Sequence, residues 1–342
     1  MSDVIVTQEI ESGGKGGITG STLKIIAIIA MFIDHFAAIL LNGYINTMLP
    51  ADFYSWSVGD MSAWYVSHPE FARVYIIYIV FRCIGRLGFP IFAFLLVEGF
   101  GHTRNVKKYA RNLIIFALVS ELPFNLGFNS TLLCPRYQNV FFTLFIALLV
   151  LCGIKYLPEK LKLNENMSWV VYAGGFLTGI IVTGAAKSSS FGTFMPYGKY
   201  SLTYWLVALA GGVAGTVIIA IIARNWQPET KCAYFVGSAS VLAGFYVAEF
   251  AKTDYAGSGV LAIVILYLLR NNKVRAMGAS VMLLTIMNYL EVFAFFTLIP
   301  VGKYNGKRGI NLKYFFYAFY PVHILLIYIV TYVLGYAQFA IK

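Results

Sequence analysis

The sequence has few charged residues. Only 12% of its 342 residues are Asp, Glu, Lys or Arg, against roughly 25% in a typical soluble domain, whereas 59% are hydrophobic. A soluble chain of this length needs charged side chains to cover its surface. The shortage therefore excludes an ordinary soluble enzyme, a disordered protein and a coiled coil. Since one membrane crossing takes ~20 apolar residues, the chain has room for about ten crossings and their loops.

Acidic residues are scarcer than basic ones, 15 against 26, which gives a net charge of +11. In a soluble protein this charge would suggest nucleic-acid binding. Here the basic residues occur in short loops between apolar runs, where the positive-inside rule accounts for them, so no nucleic-acid partner is expected. Only four cysteines occur, without paired spacing, so neither a disulfide framework nor a metal site is expected.

Long apolar runs predict an all-α, polytopic integral membrane helical bundle with about ten transmembrane helices. Residues 1–21 are expected to form a glycine-rich, mobile tail, and 22–342 a single membrane domain. The tail carries acidic residues rather than a basic n-region, so no signal peptide is expected. The ten runs cover 22–42, 74–100, 108–126, 138–154, 168–186, 201–223, 232–250, 256–270, 276–300 and 316–335.

Loop charges predict the orientation of the chain in the membrane. Residues 102–111 contain four Lys or Arg and no acid, so this loop should be cytoplasmic, whereas the more acidic 43–73 should lie outside. The N-terminus is then cytoplasmic. Ten strictly alternating spans would place the basic residues of 303–313 outside, against the rule. Either the span count is off by one near 232–300, or this loop is basic for a functional reason; ten spans are kept.

Ionisable residues inside membrane spans are costly and are candidates for function. The first run contains Lys24, Asp34 and His35. Lys24 and His35 are eleven residues apart, so on a helix they lie ~20° apart on one face with about 16 Å of rise between them. His35 could act as a general base and Lys24 could hold a phosphate. The alternative is a structural Asp–His pair, with Lys24 as an interfacial anchor.

The second run supplies partners for these groups. Arg82 and Arg86 are four residues apart and share a helix face. We expect one of them to pair with Asp34 and the other to face a polar cavity, where it could stabilise an oxyanion. The alternative is that both form structural ion pairs. Pro90 should kink the helix.

Further polar residues occur near the outer ends of other runs. Glu121, Asn125, Asn139 and His323 should join Asp34, His35 and the two arginines in one polar layer, although each alone could be a cap or turn residue. A basic layer, which includes Lys24 and Arg104, should lie on the cytoplasmic side and hold an anionic donor. Glu291 could be an anchor or an internal ion-pair partner, and 249–259 a plain loop or a lid over a site.

Several segments resemble the TraX family of bacterial membrane proteins. The resemblance covers roughly 22–335. The segments that carry it are the first run through Asp34-His35, Gly85-Arg86-Leu-Gly-Phe-Pro-Ile-Phe with Glu98-Gly99, His102-Thr-Arg104, Ser120-Glu-Leu-Pro-Phe-Asn125, Gln138-Asn-Val-Phe-Phe-Thr143, Tyr304-Asn-Gly-Lys-Arg-Gly309 and Tyr317-Ala-Phe-Tyr-Pro-Val-His323. The family's Asp-Tyr-Gly segment is altered here to Asp254-Tyr-Ala-Gly257.

The resemblance implies acyl transfer. The name-giving member is associated with N-acetylation of conjugative pilin, and the family is similar to transmembrane type 3 acyltransferases, which carry a basic residue and a histidine at the same spacing as Lys24 and His35. By that analogy His35 is the catalytic histidine, and Lys24 with the Tyr304–Gly309 loop contacts the phosphates of coenzyme A.

The sequence thus predicts an acyltransferase that uses cytoplasmic acetyl-CoA or another acyl-CoA and no metal. Its partners would be acyl-CoA, membrane lipids and an acceptor whose identity the sequence does not give. The alternatives are a transporter or flippase and a scaffold without chemistry. The expected catalytic residues are His35, Asp34, Arg82 and Arg86; the donor-binding residues are Lys24, Arg104, Lys307 and Arg308; the acceptor-side residues are Glu121, Asn125, Asn139 and His323.

Overall fold

A computed structural model describes residues 16–161, 169–310 and 313–337 of the chain. The described part forms fourteen α-helices joined by short loops. They are α1 (Gly20–His35), α2 (Asn42–Met48), α3 (Val58–Ser67), α4 (Pro69–Gly85), α5 (Gly88–His102), α6 (Val106–Asn129), α7 (Val140–Leu161), α8 (Val170–Ser188), α9 (Leu202–Ile222), α10 (Pro228–Phe250), α11 (Ala256–Leu268), α12 (Lys273–Met287), α13 (Leu298–Gly302) and α14 (Lys313–Val333).

Eight helical segments of the described part are long and apolar enough to cross a membrane, and two apolar helices are shorter. This confirms the predicted polytopic all-α membrane fold. The predicted tail over residues 1–15 lies outside the described residues. Residues 16–21, also assigned to that tail, hold the first turn of α1, where the Thr19 side chain accepts a hydrogen bond from the Thr22 backbone N–H at 3.3 Å.

The first span is not one regular helix. α1 passes directly after His35 into a π-helix, Phe36–Leu41, and then into α2. A π-helical turn widens the backbone, is rare, and often marks a functional position. The disturbance therefore begins at the residue that the sequence singles out as a base.

The second span also breaks at its polar residues. α4 ends at Gly85 and α5 begins at Gly88, with Arg86 and Leu87 in the turn between them. Pro90 lies in the first turn of α5, where its missing N–H leaves no broken hydrogen bond within that helix. The interruption thus precedes the proline by one turn, with Arg82 in the last turn of α4 and Arg86 directly after it.

The predicted ninth span, 276–300, differs most from the structure. α12 ends at Met287, the Asn288 backbone is extended, and a 3-10 helix, Tyr289–Thr297, leads into α13. The run therefore forms two segments that fold back on one another. The loop that follows returns to the N-terminus, where Gly20 N–H donates to the Lys307 carbonyl at 2.8 Å and Ser21 N–H to the Arg308 carbonyl at 2.9 Å.

Strict alternation of ten spans was therefore wrong at this point. The loop 303–310 lies at the same end of the bundle as residues 18–21, because 276–300 turns back on itself at Asn288. The start of α12 joins this end, since the Lys273 side chain donates to the Tyr304 carbonyl. The C-terminal half of α5 does so too, since the Phe94 ring packs edge-on against Tyr304 at 5.5 Å.

The largest buried apolar cluster surrounds α5. It includes fully enclosed side chains from α1, α5, α7, α11 and α12, among them Leu23, Ile91, Leu148, Ile263 and Met277. Burial of such side chains anchors α5 at the centre of the bundle. α5 consequently forms a fixed wall beside α1, the helix that carries Lys24, Asp34 and His35.

Candidate functional site

A cavity of about 940 Å³ lies between α1, α4, α5, α6 and α14. At the end of the bundle where α1 begins, the cavity is lined by the basic side chains of Lys24, Lys108 and Arg308, which form its basic mouth. His35 lies deeper, and beyond it the lining becomes charged again. Aromatic and aliphatic side chains line the middle, among them Phe89, Phe92, Phe124, Phe128, Phe141, Tyr317 and Tyr320.

A cluster of four charged side chains lies against the cavity, and its central member, Asp34, directly precedes His35 on α1. Arg82 Nη1 donates to Asp34 Oδ2 at 2.7 Å, and Arg86 Nη2 donates to Asp34 Oδ1 at 3.0 Å. Arg86 Nη1 also donates to Glu291 Oε1 at 2.9 Å. Two cations and two anions thus neutralise one another, as buried charges require.

The expectation was that one arginine pairs with Asp34 and the other faces a polar cavity. Instead both guanidinium groups bind the same carboxylate, and both line the cavity. The Arg82 side chain is 26% exposed against 11% for Arg86. Arg82 is therefore the more exposed of the two.

The cluster requires a glycine on α4. A Cβ atom on Gly85 would collide with the Asp34 carboxylate and its Cβ atom. Since a carboxylate held by two guanidinium groups has no room to move aside, only glycine fits at this crossing of α1 and α4.

The two buried histidines meet each other. His35 Nδ1 lies 2.7 Å from His323 Nε2, and His323 Nδ1 lies 2.6 Å from the Phe319 carbonyl oxygen. His35 lines the cavity, but His323, predicted to be an acceptor-side residue, is not among the described residues that do. It lies behind His35, because α14 runs alongside α1 at this level.

The other predicted acceptor-side residues also lie away from the cavity lining. Asn139 Nδ2 donates to Glu121 Oε2 at 2.6 Å and to the Ala117 carbonyl at 2.8 Å, and Asn125 Nδ2 donates to the Leu132 carbonyl at 3.4 Å. These bonds tie the end of α6 to the loop and helix that follow. An acceptor-side role was predicted for these three residues. In the described structure their hydrogen bonds instead join helices to one another.

Of the four predicted donor-binding residues, Lys24 and Arg308 line the cavity, whereas Arg104 and Lys307 are not in the described lining. Lys24 Nζ lies 5.2 Å from the centre of the Phe316 ring. Near this mouth, burial and the neighbouring Glu98 carboxylate raise the pKa of Tyr304 to about 12. Tyr304 therefore stays neutral at physiological pH and adds no negative charge to a basic mouth.

The segment between α10 and α11 forms another part of the cavity wall. Asp254 Oδ1 accepts a hydrogen bond from Tyr137 Oη at 2.9 Å, and the Tyr255 ring stacks on Phe89 at 3.8 Å. Burial raises the pKa of the Asp254 carboxyl, although the Tyr137 bond and Arg86 act in the opposite direction. From the sequence, this segment could be either a plain loop or a lid over a site. In the structure it packs against the cavity.

Three non-glycine residues of this segment, Lys252, Tyr255 and Ala256, have left-handed backbones with φ of 54°, 62° and 43°. Such conformations are uncommon and strained, and they cluster at functional sites. Sequence reasoning missed this feature because the altered Asp-Tyr-Ala-Gly pattern gives no sign that Tyr255 itself adopts the strained backbone.

The chain matches the family model described as TraX protein over residues 19–210 and 213–331. The chain belongs to the TraX family. The matched ranges include every described residue that lines the cavity. The cavity is therefore built from TraX sequence throughout.

One curated TraX-like relative is "Probable fimbrial assembly protein FimC, serogroup H1" of Dichelobacter nodosus. It is 26% identical over 319 residues, which cover 89% of this chain and 92% of the relative. No solved structure matches this TraX-family chain.

Proposed function

We propose that this TraX-family protein is a membrane acyltransferase that moves an acetyl or other acyl group from acyl-CoA to an acceptor hydroxyl or amine. One observation carries the proposal. A single cavity joins a basic mouth, a histidine with an unused ring nitrogen and a cluster of arginines paired with carboxylates. A basic mouth suits the phosphates of coenzyme A, and a neutral histidine suits proton removal from a nucleophile.

In the proposed reaction, His35 takes the proton from the acceptor O–H or N–H as that atom attacks the thioester carbonyl. The carbon–sulfur bond of the tetrahedral intermediate then breaks. The proton on His35 goes to the departing thiolate, so the products are the acylated acceptor and free coenzyme A. No metal or redox partner enters this balance.

Arg82 is placed to stabilise the oxyanion of the tetrahedral intermediate. It lines the cavity, its side chain is partly exposed, and its one ion pair to Asp34 uses only Nη1 among the described contacts. Donors that are held in place before the reaction lower the energy of a developing negative charge. Asp34, Arg86 and Glu291 would fix the orientation of that guanidinium.

The charge distribution supports an orientation with the N-terminus in the bacterial cytoplasm. The described loops and helix ends at the N-terminal end of the bundle are rich in Lys and Arg, as the positive-inside rule expects for a cytoplasmic face. Acyl-CoA would then enter past Lys24 and Arg308. The fimbrial relative supports an acceptor at the opposite face, on an extracytoplasmic protein or glycan.

Inside-out vesicles test this function. Labelled acetyl-CoA, which does not cross membranes, is supplied at the exposed cytoplasmic face, and covalently bound label is measured on material in the lumen. We expect transfer with the unmodified protein and with His68→Gln, a histidine on the predicted outer loop, but none with His35→Gln. Uptake of intact acetyl-CoA that is indifferent to His35 would instead support the transporter alternative.

A further inference from the structure

His323 is a buried histidine that the proposed reaction leaves unused. It lies on α14 with 4% of its surface exposed, 288 positions from His35 in the sequence. Its ring packs against Phe319 at 4.5 Å and Phe32 at 6.2 Å between centroids. A histidine so enclosed, yet bonded to a cavity residue, needs an explanation beyond packing.

The two histidine rings meet edge to edge. Their planes are 3° from parallel and their centroids are 4.9 Å apart, while His35 Nδ1 and His323 Nε2 are only 2.7 Å apart. Two atoms of stacked ring faces do not come this close, so the shared contact is an in-plane N–H···N hydrogen bond. Its length is that of a well-formed bond, so each ring fixes the plane of the other.

The hydrogen bonds also fix which nitrogen carries each proton. The Phe319 carbonyl can only accept, so His323 Nδ1 must donate to it at 2.6 Å. A neutral imidazole has one N–H, so His323 Nε2 is an acceptor and His35 Nδ1 must donate to it. His35 Nε2 is then left with its lone pair and, among the described residues, has no hydrogen-bond partner.

We propose that His323 is a positioning residue that locks His35 in the Nδ1–H tautomer and so keeps Nε2 available as the base. The proposal rests on the proposed acyl transfer for its catalytic consequence, although the tautomer lock itself does not. The arrangement follows the general logic of a catalytic base oriented by a second buried group. Here a neutral histidine, anchored to a backbone carbonyl, takes the place of the usual carboxylate.

On α14, the hydrogen bond that anchors His323 to its own helix lies outside the described cavity lining. His323 binds the carbonyl one turn earlier on its own helix, while Tyr320, on the cavity wall, packs edge-on against His35 at 5.8 Å. A change at His323 should therefore alter the base without touching the donor. The expected signature is a lower kcat with an unchanged KM for acetyl-CoA.

Two substitutions separate positioning from packing. In His323→Gln the amide oxygen reaches about as far as Nε2 and can accept the His35 proton, whereas in His323→Asn the shorter amide cannot. We expect kcat to fall about 10²-fold in His323→Asn and to return to within about tenfold of the unmodified protein in His323→Gln. Equal kcat values in the two variants, whether high or low, would overturn the proposal.

Nitrogen NMR of the lipid-reconstituted protein gives a second readout that needs no activity. The sequence contains only four histidines, and the His35 signals are assigned as those absent from His35→Gln. We expect a protonated Nδ1 and a bare Nε2 on His35 in the unmodified protein and in His323→Gln, and a mixture in His323→Asn. A protonated Nε2 in the unmodified protein would refute the lock.

The two readouts distinguish the possible failures. If the unmodified protein transfers no acyl group while its His35 signals show the predicted tautomer, the proposed function fails and the lock stands. If transfer occurs and the tautomer is the other one, the lock fails and the proposed function stands.

Discussion

Asp34 shows how one residue organises the site. Its two carboxylate oxygens bind different arginines, Arg82 and Arg86, and Arg86 in turn binds Glu291. The sequence could indicate Asp34, Arg82 and Arg86, because ionisable side chains in apolar runs are rare. It could not assign Glu291 as the fourth member, since 205 positions separate it from Arg86 and only the folded chain brings them together.

Replacement of Gly85 by alanine should disrupt this cluster. The new methyl group would occupy the place of the Asp34 carboxylate, and buried charges that lose their partners typically cost 3–5 kcal/mol. Thermal unfolding in detergent should therefore show a large loss of stability. Gly237→Ala is the matched control, because a Cβ there meets nothing within 4 Å; an equal loss in both variants would contradict this account.

Asp34→Asn should destabilise the protein by about 3–5 kcal/mol, because it leaves two guanidinium groups without their shared anion. The further change Arg82→Met should recover part of the loss, since it removes one of the stranded charges. Unfolding of the single and double variants measures the coupling. Asp60→Asn, at an exposed helix start, is the control; strictly additive effects of Asp34→Asn and Arg82→Met would count against the cluster.

At the scale of elements, irregular segments carry most of the site. The π-helix after His35, the turn at Arg86 and Leu87, and the break at Asn288 each interrupt an apolar run. The sequence predicts the runs because their apolar length is unmistakable, but it does not locate the breaks, since apolar residues continue on both sides. The 276–300 run is the clearest case, because Asn288 alone separates its two segments.

The strained segment before α11 offers a test at this scale. Lys252 is exposed and has φ of 54°, so Lys252→Gly should relieve backbone strain and raise the free energy of unfolding by up to about 1 kcal/mol. Thermal unfolding measures the change. Lys231→Gly, inside α10, should do the opposite by about 0.5–1 kcal/mol, and a loss of stability in Lys252→Gly would show that the conformation is not strained.

For the whole molecule, the basic loops gather at one end of the bundle because the run 276–300 turns back on itself. Because that run turns back on itself, the basic loop 303–310 lies beside residues 18–21 and not at the opposite end of the bundle. The conflict came from counting 276–300 as a single pass, whereas the run turns back on itself at Asn288. Likewise the sequence grouped His323 with the polar layer correctly in depth, but depth alone does not tell whether a residue faces a cavity.

Cysteine labelling tests this arrangement. In a variant whose four cysteines are replaced by alanine, Lys303→Cys and Lys160→Cys should react with an impermeant thiol reagent from the same side of the membrane, and Asp60→Cys from the other. The reason is that 303–310 bonds with residues 18–21, while 43–68 joins the opposite end of α1 to α4. Labelling of Lys303→Cys together with Asp60→Cys would overturn the topology.

The release of coenzyme A thiol from acetyl-CoA by the purified, lipid-reconstituted protein, supplied with an extract of extracytoplasmic proteins and glycans, tests the central claim most directly. If His35 is the base, His35→Gln should lower the rate at least 10²-fold, while His68→Gln should leave it unchanged. Equal rates for the unmodified protein and His35→Gln would contradict the proposed function of the cavity.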